Sequence, residues 1–363
     1  MPAHLQDWGS AIRLETAGIE SDAAALRFAA GGLCGLLPLI LGHHLRQMAT
    51  FSDRASPPAD MTFHPRAIGI ACAIGAVGLG LGYLAMAGAP ARYLGVNAGA
   101  LILGLCVLAA IRQAGTAVRL RPGTMTLLLS VLLLATALGG ARVDDAARWV
   151  NLGGLFIQPS LVLLPLMILD FARSPNRRST WGMIVTAAAL ALQPDRAMAG
   201  MLATGLAVLA IRRPDDDHVS RALAGAIAGF AATLIQADRL TATPYVERVF
   251  QSAFSLNPIA GMLVLAGAAL LLVPAMVGGA RAQGNRDIHA VFAAVWGVAL
   301  VAAALGNYPT PIVGYGGSAV IGYVLSLAML PKAAPARSRG KDMLDVGTAD
   351  DSPAHRLKCV VLA

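Results

Sequence analysis

The chain has 363 residues, 56% of them hydrophobic and only 13% charged, with a mean hydropathy of +0.65. This composition excludes an ordinary soluble domain and fits a membrane-embedded one. A net charge of +8 would suit a nucleic-acid binder, but the placement of that charge argues against one.

Residues 1–27 mix charges of both signs with no apolar core, so no cleavable signal peptide is visible there. They are read as an extracytoplasmic N-terminal segment. Apolar runs follow at 28–46, 67–88, 93–111, 124–140, 152–171, 181–194, 197–211, 221–237, 258–278, 288–305 and 312–330. About 20 residues suffice to cross the hydrocarbon as a helix. Backbone groups in lipid must be satisfied within the span, and the alternation of a barrel is absent, so the spans are expected to be helices. Runs 181–194 and 197–211 are short and meet at Pro194, which suits either two spans or one broken hairpin. The expected fold is therefore an all-α polytopic membrane bundle of about 10–11 transmembrane helices over 28–330. Residues 331–363, rich in Pro, Ala, Arg and Asp, read as a disordered tail.

The gaps between runs alternate in charge. One alternate set of internal gaps holds 14 Lys and Arg, the other six, and the tail adds six to the richer side. Positive residues favour the cytoplasm, which predicts an N-terminus outside and a C-terminus inside the inner membrane.

Several conspicuous residues have plain structural explanations. Gly75, Gly78, Gly80 and Gly82 make a small-residue face for helix packing. His43 and His44 sit at the inner end of the first run, and no zinc-type spacing accompanies them. Asp215, Asp216 and Asp217 lie between Arg213 and Arg221 in an inner loop, where solvation explains them. The four cysteines give no disulfide framework, and no phosphate-binding glycine loop is present.

Four polar islands on the outer side are harder to explain by packing. The first runs from Arg148-Trp149 through Asn151 and Gly153 to Gln158-Pro159-Ser160. Proline frees a helical carbonyl, which Gln158, Ser160 or a ligand can satisfy. The second is Gln193-Pro194-Asp195-Arg196, an acid at a helix break, which reads as a structural lock with Arg148 or Arg196 more readily than as a catalyst. The third runs from Gln236 through Asp238-Arg239 to Tyr245, Glu247, Arg248 and Gln251-Ser252 in the longest outer loop. A carboxylate there is placed to deprotonate a sugar hydroxyl while cations hold a diphosphate. The fourth, Asn307 to Ser318, carries Pro309 and Pro311, then Gly314, Tyr315, Gly316 and Gly317. Interior glycines cost about 1 kcal/mol each in a helix, so something approaches that backbone closely.

In this order the islands resemble the SEDS family of shape, elongation, division and sporulation proteins. Arg148-Trp149, Leu152-Gly153 and Gln158-Pro159-Ser160 are similar to its RW-x-x-LG…QPS signature. Leu192-Gln193-Pro194-Asp195 is similar to its QPD element, and Pro311 with Tyr315-Gly316-Gly317-Ser318 to its P-F-x-S-YGGS motif. The resemblance covers about residues 140–330. It implies a membrane glycosyltransferase that polymerises lipid II outside the membrane, usually beside a class B penicillin-binding transpeptidase. Asp238 is then the positional match to the catalytic acid. Arg148, Trp149, Gln158, Ser160, Asp195, Arg239, Gln251, Ser252, Tyr315, Gly316, Gly317 and Ser318 are the matching substrate-binding residues. A divalent cation near the diphosphate is implied too, although the sequence shows no ligand set for one. The chain also departs from the family. Leu161 and Leu164 replace Glu and Lys, Ala197 and Met198 replace Gly and Thr, Gly314 replaces Ser, and the glycine-rich acidic stretch after Gln-Ser is missing. A non-catalytic scaffold for a cell-wall synthase therefore stays open, as does a lipid-linked sugar flippase. The flippase reading is the weaker, because the spans hold almost no ionisable residue beyond Asp170.

Overall fold

The computed structural model describes Glu15 and residues 65–114, 121–143, 146–236, 242–281, 286–306, 308–311 and 317–331. The first apolar run, the tail from 332, Asp238, Arg239, Tyr315 and Gly316 lie outside the described residues.

The described chain is a bundle of helices: α1 (Pro65–Met86), α2 (Ala91–Ala114), α3 (Thr124–Gly139), α4 (Pro159–Arg173), α5 (Arg177–Leu192), α6 (Arg196–Arg212), α7 (Asp217–Ile235), α8 (Val249–Leu256), α9 (Pro258–Arg281), α10 (Arg286–Leu305) and α11 (Ser318–Ser326), which ends in a 3-10 turn at Leu327–Met329. Pro65, Pro159 and Pro258 each open a helix, where a fixed φ helps and the missing N–H is not needed. Five of the described helices are long and apolar enough to cross a membrane. This is the polytopic helical membrane fold expected from composition.

Two expectations change. The run at 152–171 is not one span. Between α3 and α4 lies a three-stranded antiparallel meander, β1 (Ala141–Val143), β2 (Ala146–Leu152) and β3 (Leu155–Ile157). Gly153 and Gly154 both take positive φ, +61° and +90°, between the paired residues Leu152 and Leu155. Two such residues make the tight turn whose twist suits a hairpin, and the hairpin satisfies the backbone as a helix would. Only from Pro159 does the chain turn helical. The second change is α8, an eight-residue helix inside what reads as the long outer loop.

Packing follows the small residues. α1 lies along α9, with Gly75 and Gly82 facing Leu270 and Leu263, while Gly78 faces open space and takes no part in this packing. α3 packs on α5, α5 on α7, α6 on α10, and α11 sits between α2 and α4. A Cβ at Gly322 would meet the Leu161 carbonyl oxygen at 2.0 Å, so α11 and α4 touch backbone to backbone there. Buried Trp296 of α10 donates to Ser326 Oγ at 3.2 Å and meets the Tyr323 ring edge-on at 5.0 Å. Tyr323 donates in turn to the Leu271 carbonyl at 3.0 Å, tying α9, α10 and α11 together.

The two ends of the bundle differ. One end holds Arg212 and Arg213 on Asp287 at 2.6 and 2.9 Å, Thr126 on Asp170 at 2.6 Å, and Arg66 on the Ala328 carbonyl at 2.7 Å. The run 215–217 lies in this region too: Asp216 caps α7 by accepting from His218 N and Val219 N, and exposed Asp217 pairs with Arg221. The other end gathers the hairpin, the 193–195 turn, α8, residues 308–311 and the start of α11.

Candidate functional site

At this second end a buried polar cluster joins four separated segments. Asp195 is its centre and is 1% exposed. Its Oδ1 accepts from Met198 N at 3.3 Å, capping α6. Its Oδ2 accepts from Gln158 Nε2 at 2.9 Å and from Ser160 Oγ at 3.2 Å, both at the start of α4. The Gln158 backbone N–H donates to Ser318 Oγ at 3.0 Å, which adds the first residue of α11. Local sequence explains the arrangement. Pro194 ends α5, Asp195 is a favoured N-cap, and Pro159 leaves Gln158 extended at the cap of α4.

Arg148 on β2 is the fourth segment. It is 4% exposed, and its Nε donates to the Gln193 carbonyl at 2.9 Å while Nη2 donates to the Pro194 carbonyl. The expected ion pair between Asp195 and Arg148 or Arg196 is therefore absent among the described contacts. Arg196 instead donates to the carbonyls of Thr233, at 3.0 Å, and Gln236. A guanidinium fork fits two adjacent carbonyls of a helix end, while the carboxylate is better used on the next helix's free N–H and on neutral donors.

Beside the cluster is a cavity of about 320 Å³. Trp149, Phe156 and Leu161 give it apolar walls; Gln158, Glu247, Thr310 and Ser318 give it polar ones. A smaller space of about 20 Å³ adjoins it, bordered by Arg148, Asp195 and Tyr308 and sharing Trp149, Gln158 and Glu247. Of the residues singled out in the sequence, Arg148, Trp149, Gln158, Ser160, Asp195, Gly317 and Ser318 come together here. Gln251 and Ser252 do not line either space. They ride on α8, where Gln251 Nε2 donates to the Ala304 carbonyl at 2.6 Å and Ser252 Oγ shares a 3.0 Å hydrogen bond with the Tyr83 hydroxyl. Gly317 is required by its backbone: φ is +61° and a Cβ would lie 2.3 Å from that of Ala100.

Two further lining residues, Glu247 and Thr310, belong to the third and fourth polar islands but not to the expected substrate-binding set. Glu247 Oε2 accepts from Thr243 N at 2.8 Å, and Thr310 N donates to the Val246 carbonyl at 3.0 Å, which pins 308–311 to the 243–247 turn. Two prolines flanking Thr310, and a carboxylate between Tyr245 and Arg248, were the available signals.

No model of a protein family matches the chain, and no curated protein sequence matches it. Among solved structures it is similar to the rod shape determining protein RodA of Thermus thermophilus, with 20% identity, a TM-score of 0.52, and coverage of 72% of this chain and 94% of that one. An aspartate-to-alanine mutant of the same protein matches at a TM-score of 0.53, with the same identity and coverage. The chain thus has a SEDS-like fold, that of RodA, a polytopic helical membrane protein.

Proposed function

We propose that this protein acts in cell-wall synthesis as a SEDS-like glycosyltransferase that handles a polyprenyl-diphosphate-linked sugar, lipid II, at the outer face of the inner membrane. The observation that carries this is the convergence of Arg148, Gln158, Asp195 and Ser318 on one buried cluster beside a cavity walled by Trp149 and Glu247. Buried polar groups are costly in a membrane bundle, so their gathering at one end favours a site. The 14-to-six charge asymmetry puts that end outside, with the N-terminus outside and the C-terminus in the cytoplasm.

In this reading Asp238 takes the proton of an acceptor sugar hydroxyl, the oxygen attacks the anomeric carbon, and the polyprenyl diphosphate leaves toward Arg239. Asp195 is a positioning residue, since its oxygens are already used within the protein. Among the described residues no group of three or more His, Cys, Asp or Glu is placed to hold a metal ion. A class B penicillin-binding protein is the partner that the resemblance implies.

The full commitment of Arg148 and Asp195 to internal partners favours one second reading, a scaffold that docks a cell-wall synthase without catalysis. The test is polymerisation of lipid II by the purified protein. Wild type is expected to make glycan polymer, and Asp238→Ala to lower turnover by about 10²–10⁴-fold with insertion intact. Unchanged turnover in that variant removes Asp238 from the mechanism. A wild type that makes no polymer yet co-purifies with a transpeptidase establishes the scaffold.

A further inference from the structure

The polar wall of the 320 Å³ cavity is of one kind. It holds hydroxyls from Thr243, Thr310 and Ser318, the Gln158 carboxamide and the Glu247 carboxylate, and among the described residues no Lys or Arg lines it. Arg148, the nearby cation, is turned to the carbonyls of Gln193 and Pro194 and borders only the smaller space. One group in the wall is unsatisfied. Thr310 is 1% exposed, and its Oγ1 has no hydrogen-bond partner among the described residues, although its backbone N–H does. A buried hydroxyl without a partner is disfavoured, and a cavity lined by one is ready to bind a group that completes the bond.

We propose that this cavity is a subsite for a neutral hydroxylated ring, with Thr310 Oγ1 and Glu247 as the groups that read its hydroxyls. This deepens the function proposed above and rests on it: the sugar of the lipid-linked substrate enters the cavity, while its diphosphate stays outside. A carboxylate only accepts hydrogen bonds, so it selects a hydroxyl and repels a phosphate. A threonine hydroxyl both donates and accepts, as a sugar hydroxyl requires. Trp149 and Phe156 offer apolar faces to the C–H side of such a ring. The volume is at the small end for a ligand pocket, which suits one ring better than a lipid tail.

Binding of two probes to the detergent-purified full chain tests the subsite: a polyprenyl diphosphate carrying an N-acetylhexosamine, and the same polyprenyl diphosphate without sugar. Wild type is expected to hold the sugar-bearing lipid the more tightly. Thr310→Val keeps the shape and the backbone hydrogen bond, so it folds with an unchanged or raised thermal midpoint. It weakens binding of the sugar-bearing lipid about five- to tenfold and leaves the sugar-free lipid unaffected. Glu247→Gln, which puts a donor where the hydroxyl expects an acceptor, weakens the same lipid selectively. A wild type that does not distinguish the two lipids, or a Thr310→Val that loses both alike or neither, overturns the subsite. A wild type that binds neither lipid overturns the lipid-substrate reading, and the subsite falls with it.

Discussion

Replacing Asp195 with alanine is expected to lower the stability of the detergent-solubilised protein by about 2–4 kcal/mol, seen as a clear fall in its thermal midpoint. Two costs combine. Losing an N-cap costs about 1 kcal/mol. Leaving buried donors unpaired costs about 1–3 kcal/mol more, and here the abandoned donors are the Gln158 amide and the Ser160 hydroxyl. Asparagine is a poor substitute. Its single oxygen can keep the cap on Met198 N or the bond to Gln158 Nε2, but not both, and its amide would then oppose a second amide. Asp195→Asn is therefore expected between wild type and alanine. A midpoint unchanged in Asp195→Ala would mean that the carboxylate does not hold α4 and α6 together.

Arg148 should show the second-largest effect, and through the same turn. Arg148→Ala leaves two neighbouring carbonyls, the buried one of Gln193 and the part-buried one of Pro194, without their donors, at about 2–4 kcal/mol. Arg148→Lys recovers only part, because an ammonium on a flexible stem does not match a two-carbonyl fork. Both Arg148 and Asp195 secure residues 193–195, so the double alanine variant should lose less than the two single losses added, by at least about 0.5 kcal/mol. Strict additivity in thermal or denaturant unfolding would separate the two residues into independent sites.

How much of this was visible in the chain depends on the type of signal. Apolar length located the helices, since hydrocarbon thickness sets one scale for every span. It misplaced the start of α4, because Leu152, Leu155, Phe156 and Ile157 are as apolar as a helix would be and only the Gly153-Gly154 pair marks the turn. The gathering of Arg148, Gln158 and Asp195 was legible because proline and a polar residue at a helix start have few other uses. Their pairing was not. Charge alone suggests an Arg–Asp bridge, whereas the free backbone groups at two helix ends decide the actual partners. Gln251 and Ser252 looked like site residues in a loop, but α8 turns them toward Ala304 and Tyr83. Thr310 had only its two flanking prolines as a sequence signal, and a threonine between prolines reads as a turn. Its importance lies in the partner it lacks within a cavity.

The similarity to RodA concerns the backbone, and the departures concern chemistry. Leu161 lies on the wall of both spaces, where the SEDS resemblance would put a charged residue, and it makes that wall apolar. Together with Glu247 and Thr310 it gives a cavity that favours a neutral ring over an anion. Fold and site chemistry are therefore separate questions in this chain.

Photo-crosslinking locates the substrate most directly. Wild-type protein in bilayers, given a lipid-linked sugar with a diazirine on the sugar, should be labelled on peptides containing Trp149–Leu161, Thr243–Glu247 and Pro309–Val320, and competed by unlabelled substrate. Labelling confined to exposed apolar side chains such as Ile235 and Leu305, unaffected by competitor, would contradict the account.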